Sequence, residues 1–384
     1  MIHVDKLIPG GQAIGNLPDG RKIFLWNALP GEIVVKYDIT KQKSRYLEAI
    51  ATSIENPSPQ RIIAKDSCYL STSPWQILDW KYENQQKSAL VTEIFQEHHM
   101  EISAPPTITD GVDYCYRNKM EYSLYWNNTA NQIQLAFHSR GSHRKIPITK
   151  SSIERPEIFQ EASKIVADLN SRHEQARTYQ SLLLRANQNS EISGGLYRNG
   201  EPHPSFPSLT DAILGYIYSY SPNGFFQINL PVYELALKEI RRHITTDEVL
   251  DLYSGVGTIG LSVARDRHLT LVESDKSAYT ESLNNIYGLA NVNTVLSKSE
   301  DVLSYVSPRA TVILDPPRAG CDKKLINKIL EVTPPVIIYL SCNPATQARD
   351  VKLLFDKYKI KTIQPFNFFP RTPHIENLVV LEHK

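Results

Sequence analysis

The stretch IIYLSCNPATQARD, Ile337 to Asp350, drives a strongly apolar run into Cys342 and follows it at once with Asn343, Pro344 and a polar helix. A free cysteine inside a strand is ordinary packing. One at a strand end is placed for chemistry, as a thiolate nucleophile whose ionisation is aided by local cations or by a helix start at Pro344. Three other strand ends carry residues of comparable reach: Gly255 and Gly257, then Glu273 and Asp275, then Asp315 opening DPPR. Ligands of open α/β sheets bind beyond the carboxyl ends of the strands, so this convergence is a stronger signal than any single motif.

The elements that must position these residues follow from the rhythm of the chain after about Ser219. EVLDLYSG, GTIGLSVARD, LTLVESD, TVILDPPRAG, KKLINKILEV and PVIIYLSCN alternate short apolar strands with helices. That pattern predicts a parallel sheet with helices on both faces. GVGTIG is a G-x-G-x-x-G, and Glu273 lies where a ribose-binding carboxylate belongs, which suits a dinucleotide as well as S-adenosyl-methionine. The late position of this fingerprint, the lack of a nearby hydride-transfer acid and the LDPPR strand end point to S-adenosyl-methionine. Upstream, SPNGFFQIN offers Gln227 to a cofactor or a base, while Phe225 and Phe226 could equally pack the start of the sheet.

The first 55 or so residues read as short β runs punctuated by Gly and Pro, a small barrel bearing Lys22, Lys36, Lys41, Lys43 and Arg45. ENPSPQR reads as a linker. Trp80 to His98 has helical periodicity, with Ala89, Leu90, Ile94 and Phe95 on one face. DYCYRNKMEYSLYW alternates as a half-buried strand, with Arg117 and Lys119 on its polar face and Arg140, His143, Arg144 and Lys145 on a nearby loop. Cations with aromatic neighbours hold single-stranded RNA, and routine surface charge explains them as well.

With 42 Lys plus Arg against 41 Asp plus Glu, the net charge is +1, so no global field announces nucleic acid. Cys68, Cys115, Cys321 and Cys342 are far apart, which argues against a disulfide framework or a zinc site and for a reducing, cytoplasmic setting. The N-terminus does not read as a signal peptide and no apolar run suits a membrane span, so a soluble protein is expected.

DPPRAG, then IIYLSCNPATQARD, then FFPRTPHIENLVVLE together resemble the RNA 5-methyluridine (uracil-C5) methyltransferases. YRNKMEYSL, FFQIN and DLYSGVGTIGL match that family's other blocks in order, and VDKLIPGGQAIG through ALPGEIVV resembles its TRAM domain. The resemblance implies an α/β fold: a Rossmann-like class I methyltransferase domain over 219–384, an OB-like barrel over 1–56 and a central α+β RNA-binding domain over 57–218. It implies S-adenosyl-methionine as cofactor and ribosomal or transfer RNA as partner, with a monomer expected.

By the same resemblance Cys342 adds to carbon 6 of uracil and Glu376 removes the carbon 5 proton. Gln227, Tyr253, Gly255, Gly257, Glu273 and Asp315 then serve the cofactor, with Gln227 and Asp315 also candidates for the uracil. Arg318 is expected to tie the DPPR loop to the sheet, and His374 to fill a turn. Many relatives carry a four-cysteine iron–sulfur cluster; here CYLSTSPWQIL has Ser73 and ITKSSIE has Ser151 and Ser152 at the corresponding places, so no cluster is expected. Ser254 stands where relatives often have cysteine. Two other readings are an RNA cytosine-5 methyltransferase and an RNA-binding or RNA-folding protein of this fold with little or no such activity.

Overall fold

The computed structural model describes residues 1–203 and 206–384. Strands β1 (Ile2–Leu7), β2 (Ala13–Asn16), β3 (Lys22–Trp26), β4 (Ile33–Gln42) and β5 (Tyr46–Glu55) close a barrel in the order β1-β2-β3-β5-β4. Alternate residues such as Ile2 and Val4, Ile23 and Leu25, and Leu47, Ala49 and Ala51 are buried, as a pleated strand with one inward face requires. The expected linker is fastened rather than loose. Buried Glu32 accepts two hydrogen bonds from the Arg61 fork, at 2.6 and 2.7 Å, and two more from the amides of Leu29 and Ser58.

Helix α1 (Tyr69–Thr72) leads into α2 (Trp80–Glu97), whose start is capped by Asp79 accepting from the amides of Lys81 and Tyr82. The buried face of α2 is not the one the apolar residues alone predict: Ala89 is exposed, while Glu83 and Lys87 are buried with Leu90, Val91, Ile94 and Phe95. Hydrophobic periodicity passes over such a face because two of its members are ionisable and paired with each other.

Next come β6 (Lys119–Asn127), β7 (Gln132–His138), β8 (Lys145–Pro147), α3 (Pro156–Ser171), β9 (Ser181–Ala186), β10 (Ile192–Arg198) and β11 (Glu201–His203). They form an antiparallel sheet ordered β11-β10-β9-β6-β7-β8, with α3 laying Ile158, Ala162, Val166 and Leu169 against it. The strand begins only at Lys119: Tyr114 and Tyr116 are buried in a separate cluster with Ile153 and Ile228. The hairpin β12 (Leu209–Ile213) and β13 (Tyr216–Tyr220) shares a core with α4 (Leu230–Arg241) and the large sheet that follows.

That sheet contains β14 (Glu248–Leu252), β15 (His268–Glu273), β16 (Val292–Leu296), β17 (Ala310–Leu314), β18 (Val336–Ser341), β19 (Tyr358–Phe366) and β20 (Glu376–His383), ordered β16-β15-β14-β17-β18-β20-β19. Helices α5 (Thr258–Ala264), α6 (Lys276–Asn285), α7 (Lys323–Val332) and α8 (Pro344–Leu354) connect it. Val336 through Ser341 are all buried, because a strand covered on both faces needs an unbroken apolar run. Only β20 runs antiparallel to its neighbours, so its first residue arrives at the edge where β14 to β18 end. The α/β class and the small barrel expected from the sequence are both present.

Candidate active site

The last pair between β18 and β20 is Ser341 with Asn377. Cys342 therefore leaves the sheet beside the point where Glu376 enters it. Behind this junction Gln347 of α8 donates from Nε2 to the carbonyls of Tyr339 and Asn377, at 2.8 and 3.0 Å, and accepts from Asn377 Nδ2 at 2.7 Å. Both amides are buried, so each bond forms with little competition from water and fixes the spacing of the two strand ends.

The polar start of α8 has a specific task. Asn343 Nδ2 and Thr346 Oγ1 donate to the carbonyl of Arg318 at 2.9 and 3.1 Å, and Arg349 donates to the carbonyl of Ala319 at 3.0 Å. Buried Asp350 accepts from the Cys321 amide and the Tyr339 hydroxyl. The loop after Asp315 is thus sewn to the helix that follows Cys342. Arg318 does tie this loop down, but through its backbone. Its side chain is exposed and acts on Cys342.

The electrostatics bind the three strand ends into one unit. Burial, together with the charges of Glu376 and Asp315, pushes the Cys342 thiol up to about 11, against the cation and hydrogen bond of Arg318. Burial and then Asp315 raise Glu376 well above the usual carboxylate range, again against Arg318, and burial raises Asp315 to about 7. Ionisation of each of the three groups is thus opposed by burial, and the negative charges of Glu376 and Asp315 add to that opposition. His374 is exposed to solvent at the turn, its ring T-shaped to that of Phe369, and partial desolvation with the cations around it, Arg318 first, holds its imidazole low, at about 4.

At the neighbouring strand ends, Glu273 accepts from the amides of Gly255 at 2.8 Å, Ser274 at 2.7 Å and Asp275 at 2.6 Å, which holds its carboxylate under the glycine loop. Gly255 faces open space. An open glycine edge beside a carboxylate fixed by three amides fits the approach of a nucleoside-type cofactor. Tyr253 packs beneath with a left-handed backbone (φ 63°), and Gly257 plays a different part: a Cβ there would meet Leu271 Cδ1 at 2.8 Å, at a φ of +87°. Gly257→Ala should therefore lower stability by roughly 1–3 kcal/mol. Gly255→Ala meets no neighbouring atom but still forces an alanine into a left-handed backbone (φ +57°), so it should cost about 1 kcal/mol, less than Gly257→Ala, and lose the thermal shift given by the cofactor. Differential scanning fluorimetry of both variants reads the contrast.

Gln227 is fixed through its backbone, where Asn118 Nδ2 and buried Arg185 donate to its carbonyl at 3.1 and 3.3 Å. Lys119 donates to the carbonyls of Asn223 and Gly224, so this strand cation braces the loop before Gln227. The two aromatics divide: Phe226 stacks on Tyr220 with centroids 3.9 Å apart, while Phe225 is 72% exposed. Where a cluster was weighed, Asp66 accepts from the Ser152 amide and hydroxyl and from Gln76, at 2.6 to 3.0 Å. Among the described residues no three His, Cys, Asp or Glu side chains are grouped as metal ligands. A groove of about 490 Å³ lined by Glu248, His268, Asn291 and Ser307 lies at the opposite edge of the sheet, away from these groups.

Sequence reasoning passed over Gln347 and gave Arg318 a structural task only. Gln347 had a readable signal, since it lies on the helical stripe of Pro344, Ala348, Val351 and Leu354, where a polar residue must bury its amide. Arg318 was visible through its place in DPPR, but nothing in the sequence set its side chain beside Cys342, since a surface arginine in a loop is common.

The family model for tRNA (uracil-5-)-methyltransferase matches residues 298–384, which hold Asp315, Cys342 and Glu376. An uncharacterized RNA methyltransferase of Lactobacillus johnsonii is 28% identical over 430 aligned positions, covering 95% of this chain and 94% of its own length. Another from Enterococcus faecalis is 29% identical, covering 94% and 93%. The crystal structure of Pyrococcus abyssi tRNA (uracil-54, C5)-methyltransferase, in complex with S-adenosyl-L-homocysteine, superposes with a TM-score of 0.77 over 99% of this chain and 100% of its own, at 22% identity. Its C-terminal motifs thus match the model of the tRNA (uracil-5-)-methyltransferase family, and nearly its whole length aligns with RNA methyltransferases.

Proposed function

We propose that this protein methylates carbon 5 of a uridine in RNA through a covalent adduct on Cys342. The observation that carries the reading is the meeting of Cys342, Glu376 and Asp315 at one sheet edge, with Arg318 opposing the raised thiol. S-adenosyl-methionine supplies the electrophilic methyl when bound. Gly255 and Glu273 would hold it at the open glycine edge, with Tyr253 and Gly257 shaping that edge.

Carbon 5 of uracil is a poor nucleophile, so Cys342 Sγ first bonds to carbon 6 and the ring double bond shifts its electrons towards oxygen 4 as an enolate. A neutral Asp315 carboxyl, favoured by its pKa of about 7, is a donor suited to that oxygen. Gln227 would serve the cofactor or the same base. Carbon 5 then takes the methyl while keeping its hydrogen. Glu376 removes that proton, the electrons restore the carbon 5 to carbon 6 double bond, and the Cys342 thiolate leaves. A carboxylate raised by burial is a stronger base once ionised, which suits a carbon acid.

RNA would lie across the exposed Lys36, Lys43 and Arg45 of the barrel and His143 and Arg144 of the central domain. Arg140 joins the two by stacking over Trp26 at 4.1 Å and donating to the Leu70 carbonyl. The test is incubation with unmodified total RNA and methyl-labelled S-adenosyl-methionine, followed by nucleoside and fragment mass spectrometry. Label in 5-methyluridine is expected, and the labelled fragment names the transfer or ribosomal RNA. Label in 5-methylcytidine, or none with the cofactor bound, would overturn the reading.

A further inference from the structure

The loop from 367 to 375 that delivers Glu376 is held by more than its own domain. On one side Lys87 donates to Asn367 Oδ1 at 2.6 Å and to the Phe369 carbonyl at 3.1 Å, while Glu83 accepts from Asn367 Nδ2 and from the Arg371 amide, both at 3.0 Å. Arg371, 3% exposed, donates to the Leu78 carbonyl at 2.7 Å and lies between the rings of Trp80 and Tyr114. Next to it, the Trp75 amide donates to the Arg371 carbonyl at 3.0 Å, and the Trp75 indole donates to the carbonyl of Gly11 at 3.0 Å.

Gly11 belongs to the barrel, in the turn between β1 and β2. It sits against Pro373 so closely that a Cβ built on it would be 2.2 Å from Pro373 Cβ and 2.5 Å from Pro373 Cγ. Pro373 is three residues before Glu376, with only His374 and Ile375 between them. Neighbouring Gly10 has nearly the same backbone, φ +92° against +93°, yet a Cβ there meets nothing within 4 Å. The chain thus offers two glycines of equal backbone strain, only one of which touches the loop that carries the base.

We infer that Gly11 and Trp75 are positioning residues for the proton-removal step, so that the N-terminal barrel seats the base of a site built two domains away along the chain. This rests on the role proposed for Glu376. Interiors are close-packed and shift in discrete steps, so a side chain inserted at Gly11 moves the Pro373 segment or lifts the barrel turn off it. Gln347 ties the Cys342 strand end to Asn377, so the displacement falls on the segment from Pro373 to Glu376 just ahead of that tie. Displacing a reacting group by about 1 Å can cost on the order of 100-fold. Elimination should slow and addition should not.

The experiment compares full-length Gly11→Ala and Gly10→Ala using RNA labelled with tritium at carbon 5 of its uridines. It reads tritium release and the fraction of protein trapped as methylated, denaturation-resistant RNA adduct. Gly11→Ala is expected to release tritium at least about tenfold more slowly than Gly10→Ala and to accumulate the adduct, with adduct formation within about twofold of wild type. Equal behaviour of the two variants, or addition and elimination falling together, would overturn the inference. If Gly11→Ala fails to fold, Gly11→Ala with Pro373→Gly is measured against Pro373→Gly alone; matched elimination rates are expected, because the obstructing atoms are gone, and a further tenfold loss would overturn it. Failure of the wild type to form any adduct with 5-fluorouridine RNA would instead sink the roles of Cys342 and Glu376.

Discussion

Glu376→Gln is expected to slow turnover by about 100- to 10,000-fold while letting a methylated protein–RNA adduct build up, the range seen when a positioned general base is lost. Glutamine keeps the shape of the side chain and its place at the first position of β20, but its amide cannot accept a proton from carbon. Addition of Cys342 to carbon 6 and methyl transfer to carbon 5 both precede the step that Glu376 performs, so both should proceed. The product cannot then leave, because expulsion of the thiolate needs the electron pair released with the carbon 5 proton. Cys342→Ala should abolish turnover and adduct together. A denaturing gel with methyl-labelled cofactor separates the cases: a labelled shifted band for Glu376→Gln, none for Cys342→Ala. A Glu376→Gln variant turning over within tenfold of wild type, or giving a shifted band without label, would remove Glu376 from the role of base.

Cys342 and Asp315 were legible because each follows a strand whose apolar run is unmistakable. Val336 to Ser341 and Ala310 to Leu314 are wholly buried, so the first polar residue after each had to lie at the sheet edge. Glu376 was legible only by resemblance. Its strand runs backwards, and no local pattern distinguishes a strand that inserts antiparallel from one that extends the parallel set. The supports of the site were harder still. Glu83 and Lys87 read as solvated positions of α2, yet both are fully buried, and burial lowers Lys87 to about 8 against the pull of Glu83. Their partners, Asn367 and Arg371, lie almost 300 residues further on, at a separation where periodicity carries no information.

Arg318→Met should raise the Cys342 thiol further and slow every reaction that needs its thiolate. Burial, Glu376 and Asp315 all push that thiol up, and Arg318 is the cation that opposes them. An opposite charge nearby is worth about 1–3 pKa units. A rise of about 1.5 units leaves roughly 30-fold fewer thiolates below the midpoint, and the greater intrinsic nucleophilicity of a more basic sulfur returns about fivefold, for a net loss of roughly sixfold. The sign runs the other way for Glu376→Gln, which removes the largest charge acting against ionisation and should bring the thiol down. The rate of Cys342 alkylation by iodoacetamide, followed against pH in a Cys115→Ser background because Cys115 is an exposed thiol, reads both shifts. In that background the rate should climb about tenfold per pH unit and level off near the thiol's value of about 11. Arg318→Met should move the curve to higher pH and Glu376→Gln to lower. Coincident curves would mean that the arginine does not act on the thiol, leaving binding of RNA phosphate as its use. Opposite displacements would mean that the same two groups set the nucleophile's basicity in opposite senses before the base is ever needed for its own step.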